Sequence, residues 1–83
     1  MPPEKQISLA EMRAGQSGTV LGIDGGHGMN TRLNTLGIIP GKRITKISSM
    51  VMRGPVTIEL DRTQIALGYG MAKRIFVQLS DRK

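Results

Sequence analysis

The segment RLNTLGIIPGKRI, residues 32–44, decides how this chain folds. Leu33 and Leu36 follow Met29 at i+4 and i+7, which places three apolar side chains on one face of a helix. Gly37 then stands where a glycine commonly ends a helix. We therefore predict a short helix of about two to three turns, with Leu33 and Leu36 buried and Gly37 as its C-terminal cap.

The residues after this helix exclude a helix-turn-helix, which would need a second helix at this point. Pro40 and Gly41 favour a turn, and we expect Ile38 and Ile39 to pack back toward the core. The β-branched segment KRITKISSMVM, residues 42–52, is typical of a long strand. Its imperfect alternation predicts a β-bulge or a bend.

The rest of the chain consists of short strand patterns separated by turn signals. These signals recur at about 8–12 residues, a spacing typical of a small barrel. The segment VTIEL, residues 56–60, is the cleanest alternating strand. We predict an all-β fold with small helical insertions and about five strands. The expected strands are 17–24, 42–52, 56–60, 65–67 and 75–79, with helical turns at 8–12 and near 68–73.

The length of the chain sets its organisation. Its 83 residues suffice for one domain, which we place at 7–80, between a loose N-terminal tail at 1–6 and a C-terminal tail at 81–83. There is no cysteine, so neither a disulfide nor a thiolate metal site can form. No apolar run approaches the roughly 18–20 residues that span a bilayer, and no signal peptide is present. We therefore expect a soluble, cytoplasmic protein.

The charge balance favours an acidic partner. Lys and Arg total 12 against 6 Asp and Glu, a net charge of +6, which suits nucleic acid, an acidic protein face or a membrane headgroup layer. The basic residues are dispersed, and only Lys42, Arg43 and Lys46 form a local group. Tyr69 and Phe76 are the two aromatic residues, too few for a single-strand binder that stacks bases. A basic nucleic-acid-binding barrel remains the alternative to a protein-binding one.

The residues that could carry chemistry are sparse. The carboxylates are dispersed and no catalytic set can be assembled, so we do not expect an enzyme. His27 and Asp24 could form a metal pair, but a site needs three or four ligands, and no metal or cofactor is expected. The glycine-rich loop GIDGGHGMN, residues 22–30, lacks the context of a phosphate-binding motif. It indicates a tight or mobile loop instead.

Two sets of side chains have both a structural and a functional interpretation. Arg32 lies beside the apolar face of the predicted helix, where it either binds a partner carboxylate in a bidentate pair or remains solvated. Met29, Met50, Met52 and Met71 either form an adaptable binding surface or fill the core. Core filling is favoured for the methionines because this chain has so few aromatic residues.

Taken together, SLAEM at 8–12, RLNTLGIIPGKRI at 32–44, GPVTIEL at 54–60 and QIALGYGMAKRIFV at 64–77 resemble the FeoA family of bacterial ferrous-iron uptake proteins. The same module resembles the C-terminal SH3-like domain of DtxR-type iron-dependent repressors. The resemblance implies an SH3-like β-barrel with a short helix after the first strand. In repressors this module follows DNA-binding and dimerisation domains, so a repressor function is not expected here.

The resemblance also implies a partner, the membrane transporter FeoB, whose GTP-binding region faces the cytoplasm. The chain would then be an accessory or regulatory protein, recruited to the inner face of the membrane through FeoB, with no nucleic acid bound. Separately, the exposed edges of a small barrel would allow weak self-association. The loop 22–30 is richer in glycine than in many family members, so it is not assigned to the contact. The residues expected to bind the partner are Arg32, Leu36, Gly37, Pro40, Gly41, Lys42 and Arg43.

Overall fold

The computed structural model describes residues 6–49 and 54–79, without the side chains of residues 48 and 49. The predictions for Met50, Met52 and most of both tails lie outside these residues. Within them, six strands, two α-helices and one 3-10 helical turn follow one another. These elements are β1 (Gln6–Ser8), a 3-10 turn (Leu9–Glu11), β2 (Ser17–Ile23), α1 (His27–Thr35), β3 (Arg43–Ser49), β4 (Val56–Leu60), β5 (Thr63–Leu67), α2 (Tyr69–Ala72) and β6 (Ile75–Leu79).

The six strands form one antiparallel sheet in the order β1-β6-β2-β3-β4-β5. The all-β prediction is confirmed, and so is the bulge in β3, which lies between Lys46 and Ser48. The additional strand is β1, which is too short to show an alternating pattern. Its first residue, Gln6, pairs with Gln78. The N-terminal tail predicted at 1–6 is therefore wrong at that residue.

The core lies on the inner face of the curved sheet and beneath the helices. The predicted alternation of β4 is confirmed, because Val56, Ile58 and Leu60 are all buried. At the N-terminal end, the predicted capping box is also present. The Ser8 N–H donates to the Glu11 carboxylate at 3.0 Å. The buried apolar side chains are those of Leu9, Met12, Val20, Leu33, Ile38, Ile44, Val56, Ile58, Leu60, Leu67, Ala72, Ile75 and Val77.

A lysine lies among these apolar side chains. Lys46 has no solvent exposure, and its Nζ donates hydrogen bonds to the carbonyl oxygens of Leu9 and Ala10, each at 3.1 Å, and of Met12. An ammonium group has three donors, so every one of them has an acceptor. All three acceptors belong to the 3-10 turn or to the residue that ends it. Lys46 therefore ties β3 to the N-terminal segment.

Lys46 forms a local basic group with Lys42 and Arg43 in the sequence, but its burial separates its charge from theirs. Alternation along β3 places Ile44 and Lys46 on the same, inward side of the strand. Within the 3-10 turn, the Leu9 carbonyl accepts one internal bond, from the Met12 N–H at 3.2 Å, whereas the carbonyl groups at the end of a helical turn have no internal donor. The lysine supplies a donor to each of the three acceptors. Burial in this setting lowers the pKa of Lys46 from its ordinary value of 10.5.

We predict that Lys46→Met lowers the free energy of unfolding by about 2–4 kcal/mol, since it removes a donor from three largely buried carbonyl groups. The Leu9 carbonyl keeps its 3.2 Å bond from the Met12 N–H. Urea unfolding measures the loss. Lys73→Met is the matched control, because Lys73 is exposed and its replacement should change stability by less than about 0.5 kcal/mol. Equal unfolding midpoints for the two variants would contradict the structural role of Lys46.

The lowered pKa predicts how the effect of Lys46 changes with pH. Between the folded-state pKa and 10.5, the unfolded chain binds more protons than the folded one, so stability rises with pH in that window. This pH-dependent gain is complete above 10.5 and is lost as pH falls through the folded-state pKa, below which the buried ammonium carries the full cost of its desolvation. Urea unfolding at about pH 7 and about pH 10 should therefore show the stability of the parent increasing relative to Lys46→Met. A difference that shrinks toward alkaline pH would contradict the prediction.

Candidate partner-binding surface

Helix α1 begins directly after the glycine-rich loop. A side chain of the helix holds the backbone of this loop in place. The Asn30 side chain reaches back from the first turn, and its Nδ2 donates to the carbonyl oxygens of Gly25 and Gly26, each at 3.1 Å. His27 is the first residue of the helix and is exposed. The loop is therefore tight, which was one of the two interpretations of its glycines.

The other end of α1 confirms the predicted glycine cap. Gly37 has a φ of 93°, a left-handed conformation that glycine adopts without strain. Its N–H donates to the Asn34 carbonyl at 2.9 Å, and the Ile38 N–H donates to the Leu33 carbonyl at 2.9 Å. This pair of bonds is the Schellman motif, which is usually accompanied by an apolar contact between the same outer residues. Leu33 and Ile38 are both fully buried.

The Schellman motif explains why Leu36 is not buried, contrary to the prediction. The helix ends at Thr35 and Leu36 is its C-cap residue, so the inward position passes to Ile38. Leu36 is left 40% exposed. The burial of Ile38 is confirmed, but Ile39 is also 40% exposed and its predicted packing into the core is wrong.

The Pro-Gly corner is held rigidly against β2. The Lys42 N–H donates to the Ile39 carbonyl at 3.1 Å and closes a turn around Pro40 and Gly41. Gly41 has a φ of 94°, as the third residue of a type II turn requires. Two further bonds of 2.8 Å join this turn to Val20, one to its carbonyl and one from its N–H. The exposed corner therefore has a fixed backbone.

The basic residues of this region differ in how free their charges are. Lys42 Nζ lies 2.5 Å from Asp61 Oδ2, and this ion pair joins the corner to the turn between β4 and β5. The side chains of Arg32 and Arg43 are exposed. Neither makes a hydrogen bond or ion pair with another residue in the described ranges. Arg32 and Arg43 are therefore the charges available to a partner, whereas Lys42 is already paired.

The structure thus brings the predicted partner-binding residues to one end of α1 and the turn beyond it. Arg32 and Leu36 are neighbours on the helix at i and i+4, and Leu36 leads directly into the corner. Gly37 acts mainly through the backbone. Ile39 is an exposed residue of this region that is not among those predicted. The Schellman motif needs only one apolar residue after its glycine, and Ile38 takes that position. We call this region the corner surface: Arg32, Leu36, Ile39, Pro40, Gly41, Lys42 and Arg43.

A groove opens on the other side of Arg32, between α1 and α2. Its volume is about 320 Å³, and it is lined by Gly28, Met29, Arg32 and Met71. Both methionines are half-buried and pack against the core. They contribute to the core, as favoured, and also form the wall of a groove. We call this feature the α1–α2 groove.

Asp24 and His27 do not come together with a third metal ligand. Asp24 is exposed, and its backbone is paired with Arg74, since its N–H donates to the Arg74 carbonyl at 2.7 Å. Across residues 6–49 and 54–79, no three His, Cys, Asp or Glu side chains lie close enough together to hold a metal ion. Over the same residues, neither α-helix has the length and apolar character that crossing a membrane requires.

Comparison with known proteins gives one consistent result. Residues 7–79 match the model of the FeoA domain. The "Putative Fe(2+) transport protein A" of Campylobacter jejuni is 29% identical over 73 residues, covering 88% of this chain and 99% of that protein.

Solved structures agree. The crystal structure of an iron uptake regulatory protein, FeoA, has a TM-score of 0.86 at 34% identity, covering 92% of this chain and all of that one. The zinc complex of FeoA from Stenotrophomonas maltophilia, described as a prokaryotic SH3 domain protein, has a TM-score of 0.76 at 24% identity, covering 87% of this chain and 89% of that one. The predicted SH3-like fold is confirmed.

The exposure of Leu36 leads to a prediction opposite to the one that its burial would have given. We expect Leu36→Asp to fold and to lose no more than about 1 kcal/mol of stability, since the new carboxylate stays in water. Leu33→Asp is the contrasting variant. It would bury an unpaired carboxylate, at a cost of several kcal/mol, and should abolish the cooperative thermal transition. Circular dichroism melts measure both, and unfolding of Leu36→Asp at room temperature would contradict the assignment.

Proposed function

Since the chain belongs to the FeoA domain family, we propose that it is a cytoplasmic accessory protein of ferrous iron uptake that binds the transporter FeoB. The relative in Campylobacter jejuni carries the name of an Fe(2+) transport protein, which supports the association with iron uptake. On this proposal the chain acts by binding rather than by catalysis. Its contact is the GTP-binding region of FeoB, which would bring it to the inner face of the membrane.

The observation that carries the proposal is the composition of the corner surface. Leu36 and Ile39 are each 40% exposed. They are flanked by Arg32 and Arg43, whose side chains have no ion pair or hydrogen bond within residues 6–49 and 54–79. Protein interfaces are enriched in arginine around an apolar centre, and a few anchoring residues usually supply most of the binding energy. Because the backbone of the corner is already fixed, little ordering entropy is lost when a partner binds. An acidic face on the partner suits the net charge of +6.

We predict that Arg32→Glu weakens binding to the isolated GTP-binding domain of FeoB by about tenfold, because it places a carboxylate against an acidic face. Isothermal titration calorimetry measures the affinity, and ferrous iron uptake in cells that produce the variant should fall in parallel. Arg13→Glu makes the same change of charge at an exposed residue outside the corner surface. It should retain most of the binding.

Two results would count against this assignment. Equal affinity of Arg32→Glu and the parent, with both folded, would remove Arg32 from the interface. Tight binding of duplex DNA or RNA, with a steep loss of affinity as salt rises, would instead favour the nucleic-acid-binding alternative.

A further inference from the structure

We propose that the α1–α2 groove binds an apolar side chain of a protein partner, together with a carboxylate next to it that pairs with Arg32. This inference rests on the proposed function and specifies the chemistry of the segment that the partner presents. That segment carries a large aliphatic or aromatic residue adjacent to Asp or Glu.

The size of the groove and its lining fit such a segment. A volume of about 320 Å³ lies at the low end of the range for binding pockets. Met29 and Met71 offer polarisable, flexible side chains, which adapt to the shape of an apolar guest. Both pack against the core, so the walls are anchored at their base. The remaining wall is Gly28, where an added Cβ would meet no atom within 4 Å.

The charges around the groove select a negatively charged guest. Arg32 lines it and has no ion pair within the part of the chain that the structure describes. Arg32 is the one charged residue among the four that line the groove, so the lining carries a positive charge. A bidentate arginine–carboxylate pair fixes orientation as well as affinity.

The positive charge of Arg32 also makes an uncharged apolar ligand the weaker candidate. A purely apolar guest would fill the groove and remove part of the water around the Arg32 guanidinium, without providing a partner for that charge. A guest that carries a carboxylate compensates for that loss. A short acidic–apolar peptide segment therefore satisfies both parts of the site.

Two glycines provide a matched pair of variants. Gly28 and Gly70 lie in α1 and α2, both are exposed, and an added Cβ meets no atom within 4 Å at either position. Leucine favours helix over glycine, so Gly28→Leu and Gly70→Leu should both fold at least as well as the parent. Only Gly28 lines the groove, so only Gly28→Leu should fill it.

The experiment uses the full chain with 13C-labelled methionine methyl groups and two probes. The first probe is the isolated GTP-binding domain of FeoB. The second is the peptide acetyl-Asp-Leu-Phe-Asp-amide, with acetyl-Asn-Leu-Phe-Asn-amide as its uncharged control. We expect the methyl signals of Met29 and Met71 to shift with both the FeoB domain and the acidic peptide. The buried Met12 serves as an internal reference. Gly28→Leu should weaken both interactions at least about tenfold, and Gly70→Leu should leave them unchanged.

The outcomes separate this inference from the proposed function. If the FeoB domain binds without shifting Met29 or Met71, and Gly28→Leu binds like the parent, the groove is overturned and the FeoB partnership stands. If the FeoB domain fails to bind but the acidic peptide shifts both methionines, the groove is supported and the proposed partner is overturned. If neither probe binds, both proposals are overturned. Equal binding of the acidic and uncharged peptides would overturn the assigned role of Arg32.

Discussion

The hydrogen bonds from the Lys46 ammonium to three carbonyl groups are the constraint on which the rest of the domain depends. A domain of this size has a small core, and this one has no cysteine to staple it. Lys46 fixes the 3-10 turn from inside, while β1 is held by its pairing with β6. Backbone bonds of 2.7 Å from Gly15 and 2.9 Å to Gln16 hold the following loop to the same lysine. The 3-10 turn and the loop after it thus both depend on one residue, the turn on its side chain and the loop on its backbone.

The packing and the two ends of helix α1 determine where its exposed residues lie. Leu33 sets its rotation by packing into the core, Asn30 closes its first turn onto the loop, and the Gly37 cap determines where it ends. Since both ends and one face are fixed, the outward residues have no freedom of placement beyond their own rotamers. The exposure of Leu36 follows from the cap and is no defect of packing. Apolar area remains in water there because the inward position belongs to Ile38.

Short sequence patterns correctly predicted the structural features that depend only on neighbouring residues. The glycine cap, the turn at Pro40-Gly41, the alternation of β4 and the bulge in β3 each follow from residue types at fixed spacing. The burial of Lys46 did not, because a lysine in a strand is ordinarily at the surface and its acceptors lie more than thirty residues away. The same distinction separates the two parts of the candidate site. The corner is contiguous in sequence, whereas the groove needs Met71, which only the tertiary fold brings beside α1.

The shared position of Arg32 connects the two surfaces. It adjoins Leu36 on the helix and also lines the groove, so one guanidinium serves the corner surface and the α1–α2 groove. It can make its bidentate pair with only one carboxylate at a time. A partner that covers both surfaces must therefore place its acidic residue at the boundary between them, with apolar groups on either side. The two surfaces lie in a fixed order along α1, with the groove near its first turn and the corner surface beyond its last turn. On the two proposals, a partner that covers both surfaces presents apolar, acidic and apolar groups in that order, which a merely acidic surface would not provide.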